Sequence, residues 1–429
     1  MSRTYYVFLL FIFLLIANSC KSTEFSGFDY DPEGGEVTTD REITPQKVRS
    51  IGSTVDGVWI SNEFPGARVN DVIRVDENHY RLVIDPENHP INNSAWYGFK
   101  IWSDERKTIT LELQYPESRH RYSPQISTDN GESWKNISET EHTINTDSDS
   151  GIATLTLSTG PERIWVSAQE LHTTRQYSQW EKELMQKPFV QKSVAGYSHQ
   201  GRPISLLKIA QRSLRPEKGV VIMYGRQHPP EVPGYIAGLR FLEIISADTP
   251  LAKEFRDRFD VWAFPLMNPD GADNGHWRHN AGGVDLNRDW QALNQPETRA
   301  VTDALKPLLN RPNRTVYYGI DFHSTSSNIF YPIEKDEDTF PLHFTYSWHE
   351  ALTEALPNVE VRNLPYDTTS PIAKNWTFHT FGSDAVTFEV SDDMTGEELE
   401  TYATTAAKIF MEKMIEAYDN NVAPAAQLD

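Results

Sequence analysis

Four apolar runs in the second half of the chain alternate with stretches of helical period: Gly219 to Tyr224, Phe259 to Leu266, Thr315 to Phe322 and Asp384 to Val390. Short, continuous apolar runs read as strands covered on both faces, and their alternation with helices predicts an α/β unit with a mostly parallel sheet. After the first run, Ile236, Leu239, Phe241, Leu242 and Ile245 recur on or near one helical face. His172 to Lys187 also reads as a helix, and Ser193 to Ala210 as a hairpin turning at His199-Gln200-Gly201-Arg202. A last helix is expected from Thr395, with Glu398 as its capping-box partner, to about Tyr418.

The texture differs upstream. From about Val55 to Ala168 the apolar runs are short or alternating: Val58 to Ile60, Tyr80 to Ile84, Trp96 to Trp102, Thr108 to Leu113, Ile152 to Leu157 and Arg163 to Val166. Turn clusters such as Asp129-Asn130-Gly131 separate them, which predicts an antiparallel β-sandwich. Lys21 to Ser50 is polar, carries Gly34-Gly35 and has no hydrophobic period, so it reads as a tether. Tyr5 to Ala17 is an apolar run behind Arg3, too short to span a bilayer comfortably and shaped like the core of a signal peptide. The expected units are therefore a signal peptide over 1–19, a tether over 20–50, a sandwich over 51–170, an α/β domain over 171–418 and a tail over 419–429.

Charge narrows the function. Asp and Glu number 61 against 40 Lys and Arg, a net charge of -21, which argues against nucleic acid or an anionic membrane surface as the main partner. Cys20 is the only cysteine, so no internal disulfide is available. Standing directly after the apolar run, it resembles the acylated cysteine of a bacterial lipoprotein. Ala17-Asn18-Ser19 also meets the small-residue rule for ordinary secretory cleavage. Lipidation at Cys20 is favoured over simple secretion. Either route predicts an exported protein: a lipoprotein, periplasmic or at the cell surface, that touches membrane only through an anchor at Cys20, or otherwise a secreted one.

The chemistry sits where the four apolar runs end. In Tyr224-Gly225-Arg226-Gln227-His228-Pro229-Pro230-Glu231, an imidazole and a carboxylate three residues apart lie in a strand-to-helix turn and can both reach one zinc ion. Among the 13 histidines, His228 alone has Glu three residues later. After the second run come Asn268-Pro269-Asp270-Gly271, His276-Trp277-Arg278-His279-Asn280 and Gly283-Val284-Asp285-Leu286-Asn287-Arg288. The third ends in Asp321-Phe322-His323-Ser324, and the fourth carries Glu389 near its end.

In order and spacing these motifs resemble the zinc metallocarboxypeptidases of the carboxypeptidase A superfamily, over about Tyr177 to Tyr418. The resemblance implies a mixed, mostly parallel sheet flanked by helices, one zinc ion per chain beyond the strand ends, and peptide or protein C-termini as substrates. It implies His228, Glu231 and His323 as metal ligands, leaving a fourth position for water. Glu389 would act as general base, and Arg278 would meet the carbonyl oxygen as charge develops on it. Asn287 and Arg288 would hold the terminal carboxylate, Asp285 would orient His228, and Tyr366 would close over the bound carboxylate. By the same likeness Lys374 lies at the base of the pocket for the departing side chain, where an ammonium would favour Asp or Glu.

Two positions depart from the digestive enzymes: Pro230 replaces an arginine between the first two ligands, and Thr325 replaces an aromatic after the third. Tyr366 precedes Trp376 by ten residues, one more than in those enzymes, whereas Trp376 to Glu389 keeps the spacing. Asn93-Ser94-Ala95-Trp96-Tyr97-Gly98-Phe99 is similar to the sandwich of the cytosolic carboxypeptidases, which remove glutamates. Alternatives of other kinds are a zinc peptidase or amidase acting on cell-wall peptides, and a peptide-binding protein without catalysis. The sequence is silent on oligomeric state.

Overall fold

The computed structural model describes residues 37–421, apart from residues 54, 117, 148–150, 216 and 310–314. The expected signal peptide, Cys20 and most of the tail lie outside the described residues. No helix among the described residues is long and apolar enough to cross a membrane.

The α/β unit is built on strands β1 (Val190–Tyr197), β2 (Pro203–Ile209), β3 (Gly219–Gly225), β4 (Phe259–Phe264), β5 (Val316–Thr325), β6 (Ile329–Pro332), β7 (Arg362–Asn363) and β8 (Asp384–Ser391). They form one sheet in the order β1-β2-β4-β3-β5-β8-β6-β7. The four apolar runs are its four central strands, β4-β3-β5-β8, all mutually parallel. β1 and β2 form the expected antiparallel hairpin, and β6 runs antiparallel to β8, so the sheet is mixed.

Both faces of the centre are covered, which is why these strands are buried at nearly every position rather than at alternate ones. Val221 and Met223 of β3 join a core with helices α2 (Val232–Ile245), α3 (Pro250–Arg258), α6 (Phe344–Ala355) and α8 (Gly396–Asn421). Val220, Ile222 and Tyr224, pointing the other way, meet α5 (Pro296–Leu305) and α7 (Ala373–Phe381). Two further helices, α1 (Thr174–Leu184) and α4 (Pro269–Asn274), lie near each other at one edge.

Upstream lie two sheets, one of six strands and one of five. Their inward residues, Leu82, Phe99, Ile101, Leu111, Leu155 and Val166 among them, share one core. One pair departs from the expected antiparallel pattern: His79–Val83 runs parallel to Lys107–Gln114. Asp71–Asp76 is an edge strand with almost no buried residue, so no apolar alternation announced it.

Residues 37–50, part of the expected tether, are hydrogen-bonded onto the folded units. Arg41 N–H donates to Gly282 O at 2.8 Å, Thr44 N–H to Glu87 O at 2.7 Å, and Gln295 Nε2 to Thr38 O at 2.6 Å. Polar segments without a period are still anchored when their backbone satisfies groups on a neighbouring surface.

Candidate active site

The turn from β3 to α2 is held in an unusual shape. Arg226 adopts the left-handed region (φ 55°) and, fully buried, donates Nε to Pro229 O at 2.7 Å. Its guanidinium stacks on Tyr235 at 4.8 Å. Helix α2 then starts directly after Glu231, with Pro233 in its first turn, where a missing N–H costs nothing. Gly234 lets this helix approach β5: a Cβ there would lie 2.0 Å from His323 O. Gly234 N–H donates to Ser324 Oγ at 2.7 Å. That close approach brings Glu231 against His323, 92 residues later in the chain.

His228, Glu231 and His323 are all buried, and their ligand atoms lie within 4.8 Å of one another. Both Nδ1 atoms face the carboxylate of Glu231, at 2.8 Å from His228 and 2.7 Å from His323. Both Nε2 atoms face outward and donate to carboxylates, His228 to Asp285 Oδ1 and His323 to Asp321 Oδ2, each at 2.8 Å. Asp321 is fixed in turn by Gln227 Nε2 at 2.9 Å, and Gln227 by the Trp290 indole at 2.8 Å. Histidines that ligate a metal through one ring nitrogen are oriented in this way through the other. Two imidazoles and one carboxylate, converging with both remaining imidazole nitrogens anchored, fit one zinc ion with an open position.

Charge matches this arrangement. Burial would push the Glu231 carboxyl up, but the adjoining imidazoles of His228 and His323 outweigh it and hold the group well below the usual carboxylate range. Burial acts likewise on Asp285, where Arg278 and His228 prevail and keep it well below its ordinary value. His323 is held well above its ordinary value: desolvation opposes its charge, and Asp321 and Glu231 overcome that. A metal ion on the triad would take the place of the added proton.

The triad opens on a cavity of about 270 Å³ that also takes in Arg278, Asn287, Arg288, Tyr366 and Glu389. Glu389 pairs in register with His323 on the adjacent parallel strand, so both side chains leave the sheet on one side. Its Oε2 is shielded from solvent without a hydrogen-bond partner. Burial and the neighbouring Glu231 charge push its pKa up to about 8. A divalent cation on the triad would draw it down again.

Arg278 donates Nε to Asp285 Oδ2 at 2.7 Å, so Asp285 bridges the histidine and the arginine. Asn287 accepts Ala373 N–H at 2.9 Å through Oδ1 and places Nδ2 3.2 Å from His323 Nε2. Arg288 donates Nη1 to the carbonyl of Asn287 at 2.7 Å and leaves the rest of its fork towards the cavity. Tyr366 stands at the rim, 59% exposed.

Lys374 differs from expectation. It neither points into water nor borders the cavity: it is buried, and Nζ donates to the carbonyls of Tyr366 (2.7 Å), Pro332 (3.0 Å) and Asp367 (3.3 Å). Its ammonium therefore ties down the segment that carries Tyr366. Burial lowers its pKa to about 8.

Sequence reasoning missed a contribution from the other unit. Asn92 and Arg121, both in loops of the sandwich, line the same cavity. Arg121 donates to Asp392 Oδ2 from Nε at 3.0 Å and from Nη2 at 2.7 Å, just beyond β8. It brings a guanidinium to a site where Pro230 offers none. The loop holding Arg121 has no period or motif, so nothing along the chain marked it.

The sequence pattern of the family described as zinc carboxypeptidase matches residues 177–429. Cytosolic carboxypeptidase 6 of Mus musculus is 32% identical over 159 residues, which cover 34% of this chain and 29% of that protein. Cytosolic carboxypeptidase 2 of Homo sapiens is 31% identical over 137 residues, 30% of this chain and 15% of that protein. The matches thus span less than a third of these curated relatives. Among solved structures, a metallo-carboxypeptidase from Burkholderia cenocepacia superposes with a TM-score of 0.70 at 20% identity, covering 85% of this chain and 99% of that one. A metallo-carboxypeptidase from Pseudomonas aeruginosa, in complex with (2-guanidinoethylmercapto)succinic acid, gives 0.67 at 20% identity, covering 84% and 99%. Coverage of this extent means that the shared fold takes in the sandwich as well as the α/β unit.

Proposed function

Since the chain belongs to the zinc carboxypeptidase family, we propose that it hydrolyses the C-terminal peptide bond of peptides or proteins. One observation carries this reading: the His-Glu-His triad, a carboxylate oxygen of Glu389 without a partner, and the guanidiniums of Arg278 and Arg288 all belong to one cavity. A binding protein without catalysis has no use for the unpartnered carboxylate.

His228, Glu231 and His323 would hold a zinc ion, which would supply Lewis acidity and a nucleophilic water near neutral pH. Glu389 takes a proton from the attacking water and hands it to the departing amine. Arg278 meets the carbonyl oxygen as negative charge grows on it, and Asp285 keeps the guanidinium from turning away. Arg288, with Asn287 beside it, receives the terminal carboxylate, for which a planar fork is well shaped. Tyr366, exposed at the rim, closes over the bound end.

A preference for C-terminal Asp or Glu is part of the proposal, on altered grounds. The Lys374 ammonium has carbonyl oxygens for partners, just behind the segment that walls the cavity. An acidic side chain in the cavity is attracted by that charge across the wall, without touching it, and a basic one is repelled. Purified protein, with and without chelator, would be incubated with peptides ending in Glu, Phe or Lys, and the products weighed by mass spectrometry. The expected result is chelator-sensitive loss of one residue, fastest for Glu. No cleavage by zinc-loaded protein would sink the reaction; equal rates on all three would sink the preference alone.

Export and acylation at Cys20 complete the proposal, supported by the apolar run Tyr5 to Ala17. Labelled fatty acid should enter the protein made in a bacterial host and be absent from Cys20→Ser; incorporation into both would remove the idea.

A further inference from the structure

The segment that presents Arg278 follows α4, which ends on Gly275 in the left-handed conformation (φ 65°). Beyond that cap, three successive backbone N–H groups, those of Trp277, Arg278 and His279, find their acceptors in a single carboxylate of the sandwich. Glu87 Oε2 accepts from Trp277 N–H at 2.7 Å, and Oε1 accepts from Arg278 N–H at 3.0 Å and His279 N–H at 2.7 Å. Glu87 is fully buried and lies 190 residues or more away in the chain. Charge-assisted bonds from backbone N–H groups to a buried carboxylate are short and strong, and three together leave the segment little freedom.

The contact also runs the other way. Trp277 is part of the sandwich's apolar core and meets Tyr115 edge-on at 6.2 Å. His279 Nδ1 lies 2.6 Å from Asn88 Oδ1, and Asn88 Nδ2 donates to Gly283 O at 3.0 Å. Arg278 is thus held at its own N–H and at both neighbours, and only its side chain is left to reach the cavity. We infer that Glu87 is a positioning residue for Arg278, and that the sandwich acts as part of the catalytic apparatus rather than as an appended module. This rests on the reading of Arg278 given above. Misplacing a charge-stabilising group by about 1 Å costs roughly a hundredfold in rate, so a seat of this kind has a measurable effect.

The test compares four full-length, zinc-loaded proteins: wild type, Glu87→Gln, Arg278→Ala and the double variant. Glutamine keeps the shape of the side chain but turns an amide NH2 towards N–H donors, which removes at least one of the three bonds. Expected for Glu87→Gln are a kcat lower by about a hundredfold, a KM changed by less than about twofold and an unchanged zinc content. In the Arg278→Ala background the same change should cost nothing further, because the residue it seats is gone. Equal losses in both backgrounds would overturn the inference and leave Glu87 a stabilising residue only; so would an undiminished kcat in Glu87→Gln. If that variant does not fold, Glu87→Asp keeps the charge one methylene short. Its loss, about tenfold by the same reasoning, must again vanish in the Arg278→Ala background. An Arg278→Ala protein as fast as wild type would instead refute the role of Arg278 itself.

Discussion

Replacing Asp285 by Asn separates the two tasks this carboxylate performs. One oxygen accepts His228 Nε2 at 2.8 Å and Asn287 N–H at 2.8 Å; the other accepts Arg278 Nε at 2.7 Å and Nη2 at 2.6 Å. An amide has one acceptor oxygen, so either the histidine or the arginine ends facing an NH2 group. If His228 loses its anchor, zinc affinity should fall by about 10- to 100-fold, the usual effect of removing an orienting partner, or roughly 1.4 to 2.7 kcal/mol. If Arg278 loses its partner, an almost buried cation is left uncompensated. Breaking such a pair costs about 3 to 5 kcal/mol, and the cavity's access to water argues for the lower end. At about 2 to 4 °C per kcal/mol for a domain of this size, that is roughly 6 to 12 °C in melting temperature. Competition with a chromophoric chelator reads the zinc term, and calorimetric melts of the metal-free protein read the charge term. Asp285→Asn with wild-type zinc affinity and a wild-type melt would refute the bridging role, whatever its activity.

Three further outcomes follow from the same geometry. Glu389→Gln should keep its zinc and lose about 10²- to 10⁴-fold in kcat, the range for a lost general base; zinc-loaded variant with undiminished turnover would exclude it as the base. Stripping the metal should abolish hydrolysis and destabilise the fold by about 4 kcal/mol relative to protein at a thousandfold excess of zinc over its dissociation constant, read as a lower melting temperature; an unchanged melt would mean that no metal had been bound. Asp384, fully buried beside Thr345, has its carboxyl pushed up to about 6, chiefly by burial. A raised folded pKa adds stability below about pH 4 that is lost as pH rises through about 6, up to roughly 3 kcal/mol. Asp384→Asn should remove that part of the slope, so denaturant melts at pH 4.5 and 7.5 should differ less in the variant; identical slopes would show that Asp384 does not titrate in this range.

Much of the catalytic sheet was legible because its signal is local. A strand covered on both faces is apolar along most of its length rather than at alternate positions, so Gly219 to Tyr224 and its three counterparts stood out from the chain. Their ends were legible for a related reason: polar residues directly after such a run must lie at the sheet's rim, where His228, His323 and Glu389 are found. The exposed edge strand Asp71–Asp76 buries too little to leave a period, and residues 37–50 are held by backbone hydrogen bonds that any polar sequence can make.

The chain by itself marked His228 and Glu231 as candidate ligands of one metal ion, because ligand type and spacing are properties of short segments. Tertiary structure decided where each charge points. Lys374 turns to three carbonyls instead of the cavity, Arg121 enters from the sandwich to pair with Asp392, and Glu87 closes on a turn 190 residues distant. Arg121 and Glu87 each satisfy polar groups far away along the polypeptide, and Lys374 reaches carbonyls 7, 8 and 42 residues away. Such pairings are set by the folded packing, which is the first point at which donor and acceptor meet.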